Sequence, residues 1–225
     1  MVSALPDSDV PIRDAATVIL VRDADTAPAV LMGQRGKTAV FMPDKFVFPG
    51  GAVDDDDDDV PLASVISAPC RDRLVQRSGR TAEALAAAAI REVWEETGLR
   101  LGRASDWRAP GGWEHFGATG LAPDAAPLRF FFRAVTPPGR PRRFDARFFL
   151  ADAATLDGDP EDFSDAEDEL CHLHWVRLDE VRRLSLPFIT QIVLGELVRH
   201  LPRLDAPDRV PFITNDVLDE TVVWL

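Results

Sequence analysis

Glu92, Glu95 and Glu96 are the residues of this chain whose types and spacing could most directly do chemistry. At about 3.6 residues per turn, positions i, i+3 and i+4 share one stripe of a helix. Like charges crowded on a stripe destabilise it. A hard cation bound by oxygen ligands reverses that cost, and carboxylates are the donors that Mg2+ or Mn2+ prefers. One of the three could instead keep a raised pKa and take a proton from water. Arg91, beside the stripe, can orient a carboxylate through charge-assisted hydrogen bonds. The same spacing, taken alone, also fits an ordinary solvated acidic face, so the surroundings decide.

The stripe needs a helix, and residues 81–97 supply its signals. Thr81 suits the N-cap, Glu83 the first turn and Gly98 the position after the end. The alanines between Ala84 and Ala89 favour helix. Ala86, Ile90, Val93 and Trp94 fall opposite the acids and are expected to bury against a sheet. Upstream, Phe46-Val47-Phe48 reads as a short strand that runs into Pro49-Gly50-Gly51. A tight glycine turn lets backbone groups approach a metal or a phosphate.

Further strands are expected at 15–22 and 29–34, as a hairpin, and at 128–135, 143–151 and 171–176, with a start near 99–101. Helices are expected within 61–76, at 178–184 and at 187–201. Residues 105–127 read as loop and short helix anchored by Trp107 and Trp113, and 157–169 as an acidic loop. The six aspartates Asp54–Asp59 read as a solvated loop. The tail from Val210 is expected to pack on the body. Strands and helices mix without strict alternation, which favours a mixed sheet flanked by helices over a parallel dinucleotide-binding sheet.

The chain has 225 residues, 46% of them apolar, enough for one sizeable core. Its net charge of −13 repels nucleic-acid backbones, so a phosphate substrate would need cations for neutralisation. Arg140, Arg142 and Arg143 form the basic cluster; they could grip a substrate phosphate, or be a solvated turn or an ion-pair partner of the aspartates. Arg35 and Lys37, after the second strand, could also reach a substrate. Cys70 and Cys171 belong to no CxxC pair and are expected to be reduced, buried thiols. His172 and His174 alternate on a strand and read as structural. Met1–Asp7 lacks the features of a signal peptide, and no apolar run reaches the ~20 residues of a membrane helix, so a cytoplasmic location is expected.

The run Arg91-Glu92-Val93-Trp94-Glu95-Glu96-Thr97-Gly98-Leu99 matches the second half of the Nudix signature, and Phe48-Pro49-Gly50-Gly51-Ala52-Val53 resembles its first half. The chain is therefore identified as a member of the Nudix hydrolases by resemblance, over roughly residues 14–200. The resemblance implies an α/β fold, the Nudix α/β/α sandwich with a mixed sheet flanked by helices, formed by residues 1–225 as one domain. It implies divalent-metal-dependent cleavage of a diphosphate linkage in a small nucleoside diphosphate derivative. Glu95 and Glu96 match the principal metal ligands, Glu92 a ligand or general base, Arg91 the orienting arginine, and Gly51 a backbone carbonyl ligand. A further acid often completes such sites; Glu169 is the candidate, with Glu167 next. Arg35, Arg140 and Arg143 are the expected substrate contacts, and Mg2+ or Mn2+ the expected cofactor.

The chain departs from the family pattern at the box itself. Asp57 stands where the family has a glutamate, one among six aspartates, and residues 58–90 separate it from Arg91. An insertion at about 58–80 thus splits the box. This, with Phe41-Met42-Pro43 and Arg142–Phe149, resembles the coenzyme A diphosphatase branch. Coenzyme A or an acyl derivative is the expected substrate; ADP-ribose, nucleotide sugars and dinucleotides are the alternatives, and a non-catalytic nucleotide sensor is the competing class. Family members are often homodimers, which adds a second copy to the expected partners; nucleic acid and membrane are not among them.

Overall fold

Strand β1 (Ile12–Arg22) shows why this chain folds in layers: it alternates between two buried faces. Ala16, Val18 and Leu20 join one apolar cluster, and Ile19 and Val21 the other. A strand buried on both sides needs helices on both sides. In the computed structural model, residues 10–37, 41–215 and 222–225 are described. The reading of Met1–Asp7 and part of the expected tail lie outside them.

The elements after β1 are β2 (Ala29–Arg35), β3 (Phe46–Val47) and β4 (Gly50–Ala52), then α1 (Ala68–Leu74) and α2 (Ala82–Thr97). There follow β5 (Gly102–Ala104), α3 (Glu114–Gly117), β6 (Leu121–Pro123), β7 (Arg129–Val135) and β8 (Arg143–Asp152). The chain continues through β9 (Leu170–Arg177), α4 (Phe188–His200), β10 (Pro211–Ile213) and β11 (Val222–Trp224). The main sheet runs β11-β10-β7-β8-β1-β2-β3, with β4 also paired to β1 and β9 to β2. It is mixed: β1 runs parallel to β8 and antiparallel to β2 and β4. β5 and β6 form a separate ribbon.

On the Ala16 face lie Cys70 and Leu74 of α1 and the alanines of α2, none of them exposed. On the other face lie Val193, Leu194 and Leu197 of α4. This is the α/β/α sandwich with a mixed sheet. The alanines also explain why α2 packs so close: small side chains let the helix axis approach the sheet, and only its end turns toward solvent.

Several expectations change. The run Asp55–Asp59 is a 3-10 helix, not a loop, and Asp57 in it is buried. The strand expected to start near 99–101 begins at Gly102. Within 178–184 only a 3-10 turn forms, at Val181–Arg183. A bulge between β2 and β9, with His172 at φ 53, breaks the alternation that gave His172 and His174 a common face. Both cysteines are free, but only Cys70 is buried; Cys171 is exposed.

Candidate active site

Helix α2 carries the acids, and its two ends fix its position. The Thr81 hydroxyl accepts a hydrogen bond from the Ala84 N–H at 3.1 Å. At the other end Gly98, with φ 72, donates its N–H to the Trp94 carbonyl at 2.7 Å. A Cβ on Gly98 would lie 3.0–3.1 Å from Ala166 and Asp165, so the acidic loop packs directly on the helix end. The Glu167 N–H also donates to the Glu95 carbonyl at 2.7 Å.

The acidic stripe faces inward over β4, not outward. Glu92 is 8% exposed and Glu96 2%. The Gly50 N–H donates to Glu96 Oε2 at 2.7 Å. A Cβ on Gly51 would lie 2.5 Å from the Glu92 carboxylate, so this position needs glycine for the acid to come so near. Gly50 is equally constrained on its other side, where a Cβ would meet the Ala16 carbonyl oxygen and Thr17 at 2.5–2.6 Å. The two halves of the box thus meet backbone to carboxylate.

Arg91 is the hub. Its Nη1 donates to Glu92 at 2.9 Å and to Glu95 at 3.0 Å. Its Nε and Nη2 donate to the two oxygens of Asp57 at 3.0 and 2.9 Å, and Nη2 also to the Ala52 carbonyl at 2.9 Å. One guanidinium therefore fixes two carboxylates of the stripe, with its other edge anchored by a buried acid. Arg80 in turn ties the 3-10 helix down, through Asp55 at 3.1 Å and Asp58 at 2.5 Å.

Burial pushes the Glu92 carboxyl up to about 7, with Glu95 and Glu169 adding to it and Arg91 opposing. Glu95 is raised by burial, against Arg91. Glu96 is raised well above the carboxylate range by burial and then by Glu92, while the Gly50 N–H pulls the other way. Burial, before any mutual repulsion, raises all three acids, and a bound cation would offset that cost. Hard oxygen donors of this kind fit Mg2+ or Mn2+. As they stand, no three acid, His or Cys side chains among the described residues converge on one metal position. Arg91 and the Gly50 N–H occupy carboxylate oxygens that a cation would take over.

The other expected residues divide. Glu169 and Arg35 pair at 2.7 Å, and their charges reach Glu92 and Glu96. Glu167 sits beside Arg91, Trp94 and Glu95. Arg143, at the start of β8, donates to the Thr136 carbonyl at 3.1 Å and closes the β7–β8 turn; Arg140 is exposed in that turn. Neither makes a hydrogen bond or ion pair to a box residue among the described residues. Trp94, expected on the buried back of α2, is only partly buried and borders a cleft. Asp57 was not singled out by the sequence; its place at the family's glutamate position was the signal available.

The NUDIX domain model matches residues 11–195, a span that contains both halves of the box and every strand from β1 to β9. The chain belongs to the NUDIX domain family. A Nudix hydrolase from Alicyclobacillus acidocaldarius is 31% identical, with a TM-score of 0.65 over 85% of this chain and 93% of that one. A MutT protein from Methanosarcina mazei Go1, 14% identical with a TM-score of 0.52 over 86% of this chain and 98% of that one, shares the fold. A Caenorhabditis elegans protein provisionally named nudix hydrolase 7 is 29% identical over 155 residues, 61% of this chain and 43% of that protein. The chain thus spans less than half the length of that curated relative.

Proposed function

We propose that this Nudix chain is a divalent-metal-dependent diphosphatase that cuts the diphosphate linkage of a small nucleoside diphosphate derivative. The observation that carries the reading is the meeting of Glu92 and Glu96 with Gly50 and Gly51, around an arginine that orients two of the three acids. The retention of Arg91, Glu92, Glu95 and Glu96 together favours an enzyme over a non-catalytic nucleotide sensor.

Glu92, Glu95, Glu96 and the Gly51 carbonyl would hold Mg2+ or Mn2+, with Glu169 as the further acid. A bound divalent ion supplies neutralisation of the diphosphate and a more acidic water. Glu92 would either share in holding the ion or, left free of it, accept a proton from the attacking water. Arg91 keeps Glu92 and Glu95 aimed at the same place. Arg35, close to the acids, would contact the substrate; Arg140 and Arg143 would do so only from the β7–β8 turn. The products are two phosphate esters.

Coenzyme A or an acyl derivative is the leading substrate on the resemblance of the split box, with residues 58–80 as the insertion in a single Nudix domain of residues 1–225. ADP-ribose, nucleotide sugars and dinucleotides are the other candidates. We place the activity in the cytoplasm, without nucleic acid and with a homodimer as the assembly to test; among the described residues no helix is long and apolar enough to cross a membrane. The test is product release from coenzyme A, acetyl-coenzyme A, ADP-ribose, NADH, a nucleotide sugar and a diadenosine polyphosphate, each with Mg2+ or Mn2+. Cleavage of coenzyme A supports the branch. Cleavage of another substrate alone discards the branch and keeps the reaction, and cleavage of none overturns both.

A further inference from the structure

Arg80 stands at the end of the insertion, just before α2 begins, and faces the aspartate run. Its guanidinium reaches Asp55 at 3.1 Å, Asp58 at 2.5 Å and Asp14 of β1 at 3.8 Å. Asp55 and Asp58 lie on either side of the buried Asp57 in one 3-10 helix. That helix is made entirely of aspartates, whose mutual repulsion opposes it, and 3-10 turns have poor hydrogen-bond geometry to set against the repulsion. It needs cations. Among the described residues the run pairs with Arg13, Arg80 and Arg91. Arg13 meets Asp54 at 3.7 Å with both side chains mostly exposed, which contributes little. Arg91 holds the inner side through Asp57, and Arg80 holds the outer side.

The sheet fixes Arg80 in turn. Arg147 of β8, fully buried, donates to Ser78 Oγ at 3.0 Å and to Asp14. Arg133 of β7, also buried, donates to the Gln76 and Arg77 carbonyls at 2.7 and 2.8 Å. Both arginines pair with Asp145. The Arg80 N–H donates to Ser78 Oγ at 3.2 Å, which closes the turn that aims its side chain. A line of contacts thus runs from the sheet through residues 76–80 to Asp55 and Asp58. It continues along the 3-10 helix to Asp57, and from there to Arg91 and the acids of α2. The insertion that splits the box also ties its two halves together.

We propose that Arg80 is a positioning residue for the reaction, acting on Arg91 through Asp57. It offsets the charge of the run on the outer side, and so keeps Asp57 seated on the guanidinium that aims Glu92 and Glu95. Without it Asp55, Asp56, Asp58 and Asp59 repel one another with little to oppose them, the 3-10 helix loosens, and Arg91 loses its fixed anchor. Arg80 pairs with no acid of the stripe among the described residues, so it acts on the precision of the site and not on its composition. The catalytic half of this inference rests on the diphosphatase reading; the hold on Arg91 does not.

The test uses the full chain and reads the hold on Arg91 apart from hydrolysis. The Arg91 Nε–H donates to Asp57, so its NMR signal, assigned by its loss in Arg91→Lys, reports the grip directly. Its exchange with solvent is expected to rise about tenfold or more in Arg80→Met, and Arg80→Lys should recover about half of that or more on a logarithmic scale. Arg199→Met, which removes an exposed pair on α4, should leave the exchange unchanged. In kinetics, Arg80→Met is expected to lower kcat about tenfold with KM within about twofold. Added to Asp57→Asn it should lower kcat by no more than about a further twofold, because both changes act on the same guanidinium. If Arg80→Met does not fold, Arg80→Gln, which keeps a donor without the charge, should still raise the exchange about threefold. Unchanged Arg91 exchange, no recovery in Arg80→Lys, or full multiplication of the two kcat losses would overturn the inference. A chain in which Arg80→Met loosens Arg91 yet which cleaves no diphosphate keeps the hold on Arg91 and loses the hydrolase reading.

Discussion

Asp57 grips Arg91 with both carboxylate oxygens, at 3.0 and 2.9 Å, across 34 positions of chain. The acid is 1% exposed and the arginine 9%. Arg91 keeps Glu92 and Glu95 when the Asp57 charge is lost, so the cost is that of a weakened buried hydrogen-bond pair, about 1–3 kcal/mol. Asp57→Asn is therefore expected to lower stability by an amount of that order and to reduce turnover by freeing Arg91. Asp56→Asn, at an exposed neighbour, should stay within about 0.5 kcal/mol. Urea unfolding of both variants checks this; equal losses would mean the aspartate run acts as a bulk charge.

Glu96 is buried and resists ionisation, so its charge costs the fold more than it contributes. Glu96→Gln keeps an oxygen for the Gly50 N–H. The variant is expected to melt at or above the wild-type temperature while losing on the order of 100-fold in activity or more. Unfolding under mild conditions would make Glu96 a structural residue instead.

The raised carboxyls set a pH dependence for the metal-free protein. Glu92 is held up to about 7 from an ordinary 4.5, and Glu95 and Glu96 move the same way. Between those pH values the folded chain binds more protons than the unfolded one. Its contribution to stability is complete below about 4.5 and is lost as pH rises through about 7, at no more than about 1.4 kcal/mol per pH unit for each extra proton. With a chelator present, the melting temperature should fall between pH 5 and pH 8. Added Mg2+ favours the ionised acids and should flatten that fall. A melting temperature that rises over this range without metal would contradict the burial of the stripe.

The two glycines of the box should fail differently. A Cβ at position 51 strikes the movable end of Glu92, whereas one at 50 strikes backbone and side-chain atoms of β1 at Ala16 and Thr17. Gly51→Ala is expected to keep the fold and lose about tenfold or more in kcat. Gly50→Ala is expected to cost about 1–3 kcal/mol of stability. Calorimetry alongside initial rates separates the two; identical profiles would remove the distinction.

Much of this was legible in the sequence because it depends on local spacing. The α2 signals from Thr81 to Gly98, the Phe48–Val53 turn and the Arg91–Leu99 run can each be read without knowing what packs on them. The apolar run 15–22 reads as a buried strand and the mixed order of elements as a mixed sheet; the sandwich itself comes from the family resemblance. Asp57 could not be chosen among its neighbours, because its burial depends on an arginine brought to it by the fold. The same holds for Trp94, which helical spacing put on the buried side: the segment around Phe116 turns it toward a cleft. The β9 bulge at His172 likewise arises from pairing with β2 rather than from anything local. Long-range partners decided each of these.

The most direct test of the catalytic reading is product release from ADP-ribose and coenzyme A in Mg2+, wild type beside Glu96→Gln at matched melting temperature. Metal-dependent cleavage of either substrate by the wild type, stopped by a chelator and lost in the variant, is the expected result. Cleavage that persists unchanged in Glu96→Gln, or in the chelator, would contradict the assignment of the stripe as the catalytic metal site.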